Sequence, residues 1–163
     1  MAYLELGRVA LAEQDDAAAQ QLIQQAMPIV QEMRHDTDVG EALNLSGIAA
    51  IRLGQLSGAQ QHLAKALRLG VEAHIPYELA RATAGIALLL AKRGETERAV
   101  ELYALASCNP LIARSRWYED VLGGPIAAAA AAGLPPEVVA AAQERGRARD
   151  PWTTVEELLE KME

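Results

Sequence analysis

The 163-residue chain has no phenylalanine, only 4% aromatic residues and one cysteine, Cys108. With so few large rings, helix contacts must be built from Ala, Leu, Ile and Val at close approach. That suits layered helices better than a deep globular core. A single cysteine excludes an internal disulfide and fits a reducing compartment. Positive charge is also scarce: 15 Lys and Arg stand against 22 Asp and Glu, a net charge of −7. A phosphate backbone demands the opposite footprint, so nucleic acid is not an expected partner. No apolar run approaches the roughly 20 residues that span a bilayer, and the alanine run at 127–132 is far too short. The opening MAYLELGRVALAEQDD lacks the basic segment of a secretory leader. Together these features predict a cytoplasmic chain with no membrane partner.

What the sequence does have is helix formers (Ala, Leu, Gln, Glu and Arg) and an internal repeat. Gly7, Ala10, Ala19, Ile23 and Ala26 are matched forty residues on by Gly47, Ala50, Ala59, Leu63 and Ala66. A further forty brings Ala87, Leu90, Ala99, Tyr103 and Ala106. Small residues recur at the small positions and large ones at the large positions. Each copy reads as two helices, over 2–13 and 16–34, 39–53 and 57–71, and 75–92 and 96–107. Gly54 and Gly94 fall where a helix end needs a left-handed residue, with Gln14 in the equivalent place. Helix starts are predicted at the capping boxes Asp38–Glu41 and Ser57–Gln60, at Thr96, and at Asp15 or Asp16. Pro28, inside the second helix, removes one hydrogen bond and predicts a kink.

Beyond residue 110 the pattern loosens. Pro110 can open a helix through Trp117 and Tyr118, which Gly123-Gly124-Pro125 breaks or kinks. Pro135-Pro136-Glu137 starts another. Thr153–Glu156 offers a last capping box, ahead of the apolar stripe Val155, Leu158, Leu159 and Met162.

The order Leu6-Gly7, Ala19, Ile23, Ala26, and again Gly47, Ala59, Leu63, Ala66, resembles the tetratricopeptide repeat, although the period is 40 rather than the usual 34. The resemblance implies an all-α, tetratricopeptide-like α-solenoid of antiparallel helix pairs in one domain, 1–163. Its repeats would span about 1–36, 37–73 and 74–109, followed by an irregular pair at 110–149 and a capping helix at 152–163. The structural repeat positions would be Gly7, Ala19, Ala26, Gly47, Ala59, Ala66, Ala87, Ala99 and Ala106. The tail LPPEVVAAAQERGRARD followed by TVEELLEKM looks like the C-terminus of bacterial multidomain signal-transduction ATPases and of LuxR-type or antibiotic-regulatory transcription activators. In those proteins such repeats serve as a sensor or autoinhibitory arm. The first helix, apolar almost all round at Tyr3, Leu4, Leu6, Val9, Ala10 and Leu11, is normally a buried one. Either a preceding repeat of a larger protein covers it, or it forms a homo-oligomer, or the face stays exposed and merely lowers stability.

In that family the first helix of each pair lines a concave groove. Carried over by repeat position, the groove residues are Arg8, Asn44, Ile48, Arg52, Arg81, Leu88 and Lys92. Their basic balance implies a protein or peptide partner with acidic character, with Asn44 bonding its backbone. The competing reading is that these are ordinary solvated helix positions. Trp117 and Tyr118, beside Arg114 and Arg116, are either an interaction hot spot or packing for the irregular pair.

Catalytic constellations are thin. His35, His62 and His74 share no ligand spacing, Cys108 has no paired histidine, and Gly123-Gly124-Pro125 lacks the Lys-Ser or Lys-Thr of a phosphate loop. The expectation is a non-enzymatic chain with no metal and no cofactor.

Overall fold

In the computed structural model, which describes residues 2–163, the chain is all-helical, and among the described residues there is no strand. The helices are α1 (Ala2–Ala12), α2 (Asp16–Met33), α3 (Asp36–Arg52), α4 (Leu56–Glu72), α5 (Pro76–Lys92) and α6 (Thr96–Ala106). They continue as α7 (Pro110–Ala113), α8 (Arg116–Tyr118), a π-helical turn (Glu119–Gly123), α9 (Gly124–Gly133), α10 (Pro136–Ala148) and α11 (Pro151–Met162). Each of α1 to α6 packs on the next, and α3 also packs on α1 and α5. None of the helices is long and apolar enough to cross a membrane.

The small repeat positions set how closely the helices of a pair approach. A methyl group added at Gly7 would stand 2.9 Å from Ile23, and one at Gly47 would stand 2.7 Å from Leu63. These distances are too short for any larger residue without repacking. Ala19, Ala26, Ala59, Ala66, Ala87, Ala99 and Ala106 are all buried along the same contacts.

Through the first three pairs the turns keep the forty-residue spacing. Gln14, Gly54 and Gly94 all adopt positive φ, at 64°, 77° and 84°. The residue after each, Asp15, Gln55 or Glu95, is the N-cap of the following helix. Between pairs, Arg34 and His74 adopt positive φ as well, and the N-caps are His35, Ile75 and Ser115. Backbone geometry therefore fixes the helix starts. Of the predicted caps only Asp15 acts as one, accepting from the Ala18 N–H. Asp38, Ser57 and Thr96 lie inside helices that begin earlier. The last helix is capped by Asp150, which accepts from the Thr153 N–H at 2.8 Å, and not by Thr153. α2 continues through Pro28 to Met33.

The fourth pair keeps the forty-residue helix register but is irregular, as expected, with a short extra helix, a π turn and two helices that make little contact. Shifting α5 by forty residues gives 116–132, and helix runs from Arg116 to Gly133 through the π turn. Shifting α6 gives 136–146, and α10 spans Pro136–Ala148. Gly123-Gly124-Pro125 does not break the helix. Pro125 has no N–H to donate, and the preceding turn widens so that the Gly124 N–H reaches the Glu119 carbonyl. Pro110 opens only the short α7, so no helix runs from it through Trp117.

α11 does not form the expected end seal. α10 lies along α6 and makes little contact with α9, while α11 turns back over α4 and α5. Arg149 clamps this return. Its guanidinium donates to Glu101 at 2.6 Å, to the Thr154 hydroxyl at 3.1 Å and to Glu157. Gln60 donates to the Met162 carbonyl at 3.2 Å, and Arg68 pairs with Glu163 at 2.9 Å.

Candidate functional site

Three surfaces of the molecule stand out: the face lined by α1, α3 and α5, the outer face of the first helix pair, and a cleft in the fourth pair.

Of the seven residues predicted to line a ligand groove, four are buried: Asn44, Ile48, Arg81 and Leu88. Three of the four basic ones pair with acids of the chain. Arg8 donates to Glu41 at 2.8 Å, and Arg52 pairs with Asp16 and donates to the Leu11 carbonyl, both at 2.8 Å. Arg81 pairs with Glu78 at 2.9 Å, approaches Glu41 at 3.7 Å and lies over the Tyr77 ring. Lys92 alone of the seven is exposed. The sequence missed the acids: Glu41 and Glu78 answer the arginines that repeat position had assigned to a ligand. Asn44, enclosed beside Gly85, makes no hydrogen bond through either side-chain atom and so does not face outward to a peptide backbone.

The chain's own aromatic pair packs against this face. The Trp117 indole N–H donates to the Arg8 carbonyl at 2.9 Å, and the Arg8 guanidinium lies 4.7 Å from the centre of the Trp117 ring. Tyr118 is fully buried and meets Trp117 edge to face. Burial holds its phenol well above the ordinary range. Burial also pushes the Glu78 carboxyl up to about 7, against the pull of Arg81 and with help from the negative charges of Glu41 and Asp38. Of the two readings of Trp117 and Tyr118, packing describes where they sit.

On the first pair, Tyr3, Leu6 and Val9 of α1 and Ile29 and Met33 of α2 are exposed, with Leu6 and Val9 about half accessible at 51% and 50%. The equivalents of Val9, Ala49 and Leu89, are buried. So is Ile86, two copies on from Leu6, while Ser46 is half-buried.

The cleft lies between α9 and α10, with α6 as its floor, and has a volume of about 830 Å³. Its walls are small and apolar: Ala127, Ala130 and Ala131 on α9, Val139 and Ala140 on α10. In the first two pairs, Ile23 and Leu63 drop from the second helix onto a glycine of the first. At the equivalent positions the fourth pair has Gln143 and Ala127, and both line the cleft. Polar groups gather where α6 meets the π turn. A methyl group on Gly123 would lie 2.7 Å from the Tyr103 hydroxyl and 2.5 Å from Glu119 Oε2, so the two converge there. Burial, with the neighbouring Glu119 charge, pushes the Tyr103 phenol up to about 12, and the Ser107 side chain acts in the opposite direction. Nothing in the sequence read as a site here, because the cleft comes from how two helices separate. Among the described residues no three His, Cys, Asp or Glu side chains are grouped to hold a metal ion.

No protein-family model, curated protein or solved structure matches this chain.

Proposed function

We propose that the chain is a tetratricopeptide-like stack of helix pairs that binds another protein through the outer face of its first pair. The observation that carries this reading is the mismatch in burial at equivalent positions. Leu6 and Val9 are exposed where Ile86, Ala49 and Leu89 are covered. Apolar side chains at repeat-interface positions are what a neighbouring pair buries, and each stabilises by about 1.5–3 kcal/mol when covered. The occupant that fits is a further helix pair stacked at the same forty-residue spacing. Glu5 stands on this face where the other copies have Leu45 and Gly85, so the partner must bring a cation to it or leave it at the rim. The setting this suits is the repeat arm of a bacterial signalling or transcription regulator, which the tail resembles. Docking there would shift the state of an attached switch domain.

The test is to fuse a second copy of residues 36–80 directly ahead of residue 1, in register. Stacking is expected to raise the melting temperature by about 4 °C or more, and the gain should vanish with Leu6→Asp and Val9→Asp. A fusion no more stable than the chain alone counts against the reading.

A second reading is that the same face joins two copies of this chain. The exposed Tyr3, Leu6 and Val9 favour it equally, but a two-fold pairing also brings together two Glu5 carboxylates. Light scattering separates the two, since only self-association gives a dimer mass that Leu6→Asp abolishes.

A further inference from the structure

The cleft of the fourth pair is independent of the docking face, and its chemistry is specific enough to name a ligand class. Its volume of about 830 Å³ falls within the range of small-molecule sites, which are apolar with a few convergent polar groups. Opposite charges stand on its two walls. Glu119, on the π turn that leads into α9, has no cationic partner within 4.0 Å among the described residues, and its carboxylate and the Tyr103 hydroxyl both approach Gly123. Arg147, on α10, lines the same cleft and has no acidic partner within 4.0 Å among the described residues. The neighbouring arginines differ: Arg145 pairs with Glu97 and Glu101, and Arg149 pairs with Glu101 and Glu157. One unpaired acid and one unpaired base, on walls that make little contact with each other, leave both charges for a ligand.

We propose that this cleft binds a small zwitterion with an apolar body, its ammonium group on Glu119 and Tyr103 and its carboxylate on Arg147. The apolar body lies between Ala127, Ala130 and Val139, supplying the bulk that Ile23 and Leu63 supply in the first two pairs. A free apolar amino acid and a short apolar peptide share this chemistry, and the length of the probe distinguishes them. By tying one wall to the other, such a ligand also joins α9 to α10.

Isothermal titration of the full chain with leucine, dileucine and trileucine tests the proposal, using N-acetyl-dileucine and dileucine amide as probes that each lack one charge. Saturable binding is expected for at least one of the zwitterions, with each single-charge probe about tenfold weaker. Glu119→Gln should erase the preference for the free amine, and Arg147→Gln the preference for the free carboxylate. Ala127→Leu, at an exposed position on the cleft wall, should abolish binding while leaving the melting temperature unchanged. The proposal is overturned if no probe saturates, if the neutral-ended probes bind as well as the zwitterions, or if neither charge variant moves its preference. Binding of an amphipathic helix, but of no zwitterion, would also overturn it and assign the cleft to a protein partner. None of these outcomes depends on the first-pair face.

Discussion

Glu78 is 2% exposed and Arg81 is 3% exposed, and this enclosed acid–base pair makes the fold sensitive to pH. With its carboxyl raised to about 7, folded Glu78 keeps a proton that the unfolded chain gives up at the ordinary carboxylate value. Its contribution is therefore fully present in acid and is lost as pH rises through about 7. Glu101 acts in the other direction. Burial pushes its carboxyl up, but hydrogen bonds from Arg149 and Arg145 outweigh burial and hold it below the usual range. Its contribution is present at neutral pH and is lost on acidification. Urea melts at pH 5 and pH 8 should show that Glu78→Gln reduces the stability lost across this interval by about 1–3 kcal/mol. An unchanged pH slope would mean that Glu78 titrates normally. None of this was legible in the sequence. Repeat position placed Arg81 and Asn44 on a first helix correctly, but it did not reveal the acid one turn before Arg81 or the enclosure of both residues.

The helices themselves were largely legible, for a physical reason. A fixed spacing of small residues forces the same close approach each time, and the turns that permit it recur at Gln14, Gly54 and Gly94. Side-chain caps were a poor guide because those turns set the helix starts before the capping residue is reached. The break offered at Gly123-Gly124-Pro125 does not occur: proline and glycine ordinarily interrupt a helix, whereas here one widened turn absorbs Pro125. The path of α11 was also hidden, since an amphipathic stripe says that a helix is covered but not by what. The clamp at Arg149 gives α11 its own prediction. Arg149→Ala removes three hydrogen-bond partners and leaves buried Glu101 to Arg145 alone. The expected cost is about 1–3 kcal/mol by chemical denaturation. Hydrogen exchange should quicken in α11 before it does in α3. Equal protection of α11 in the variant would show that apolar packing alone holds it.

Stacks of helix pairs usually distribute stability between neighbours only. This molecule adds two longer connections: α11 returns to α4, and Trp117 reaches Arg8 across 109 residues of sequence. The second ties the first pair to the fourth. Trp117→Phe keeps a ring beside Arg8 but deletes the indole N–H. Amide exchange in α1 and α2 should then speed up about fivefold, with α4 to α6 little changed, the size expected for one net hydrogen bond. A uniform change through every helix would instead mean that the molecule unfolds as one unit whatever this contact does.

Through the first three pairs the backbone turns recur at forty-residue intervals whatever side chains they carry, and this bears on how such a chain can change length. A duplication or loss of forty residues whose ends fall within those pairs joins a turn to the matching turn and a helix to the matching helix. No new junction has to be invented. Copy number can therefore drift by whole units while each unit accumulates its own substitutions, as Gln14 and Gly54 have at one and the same bend.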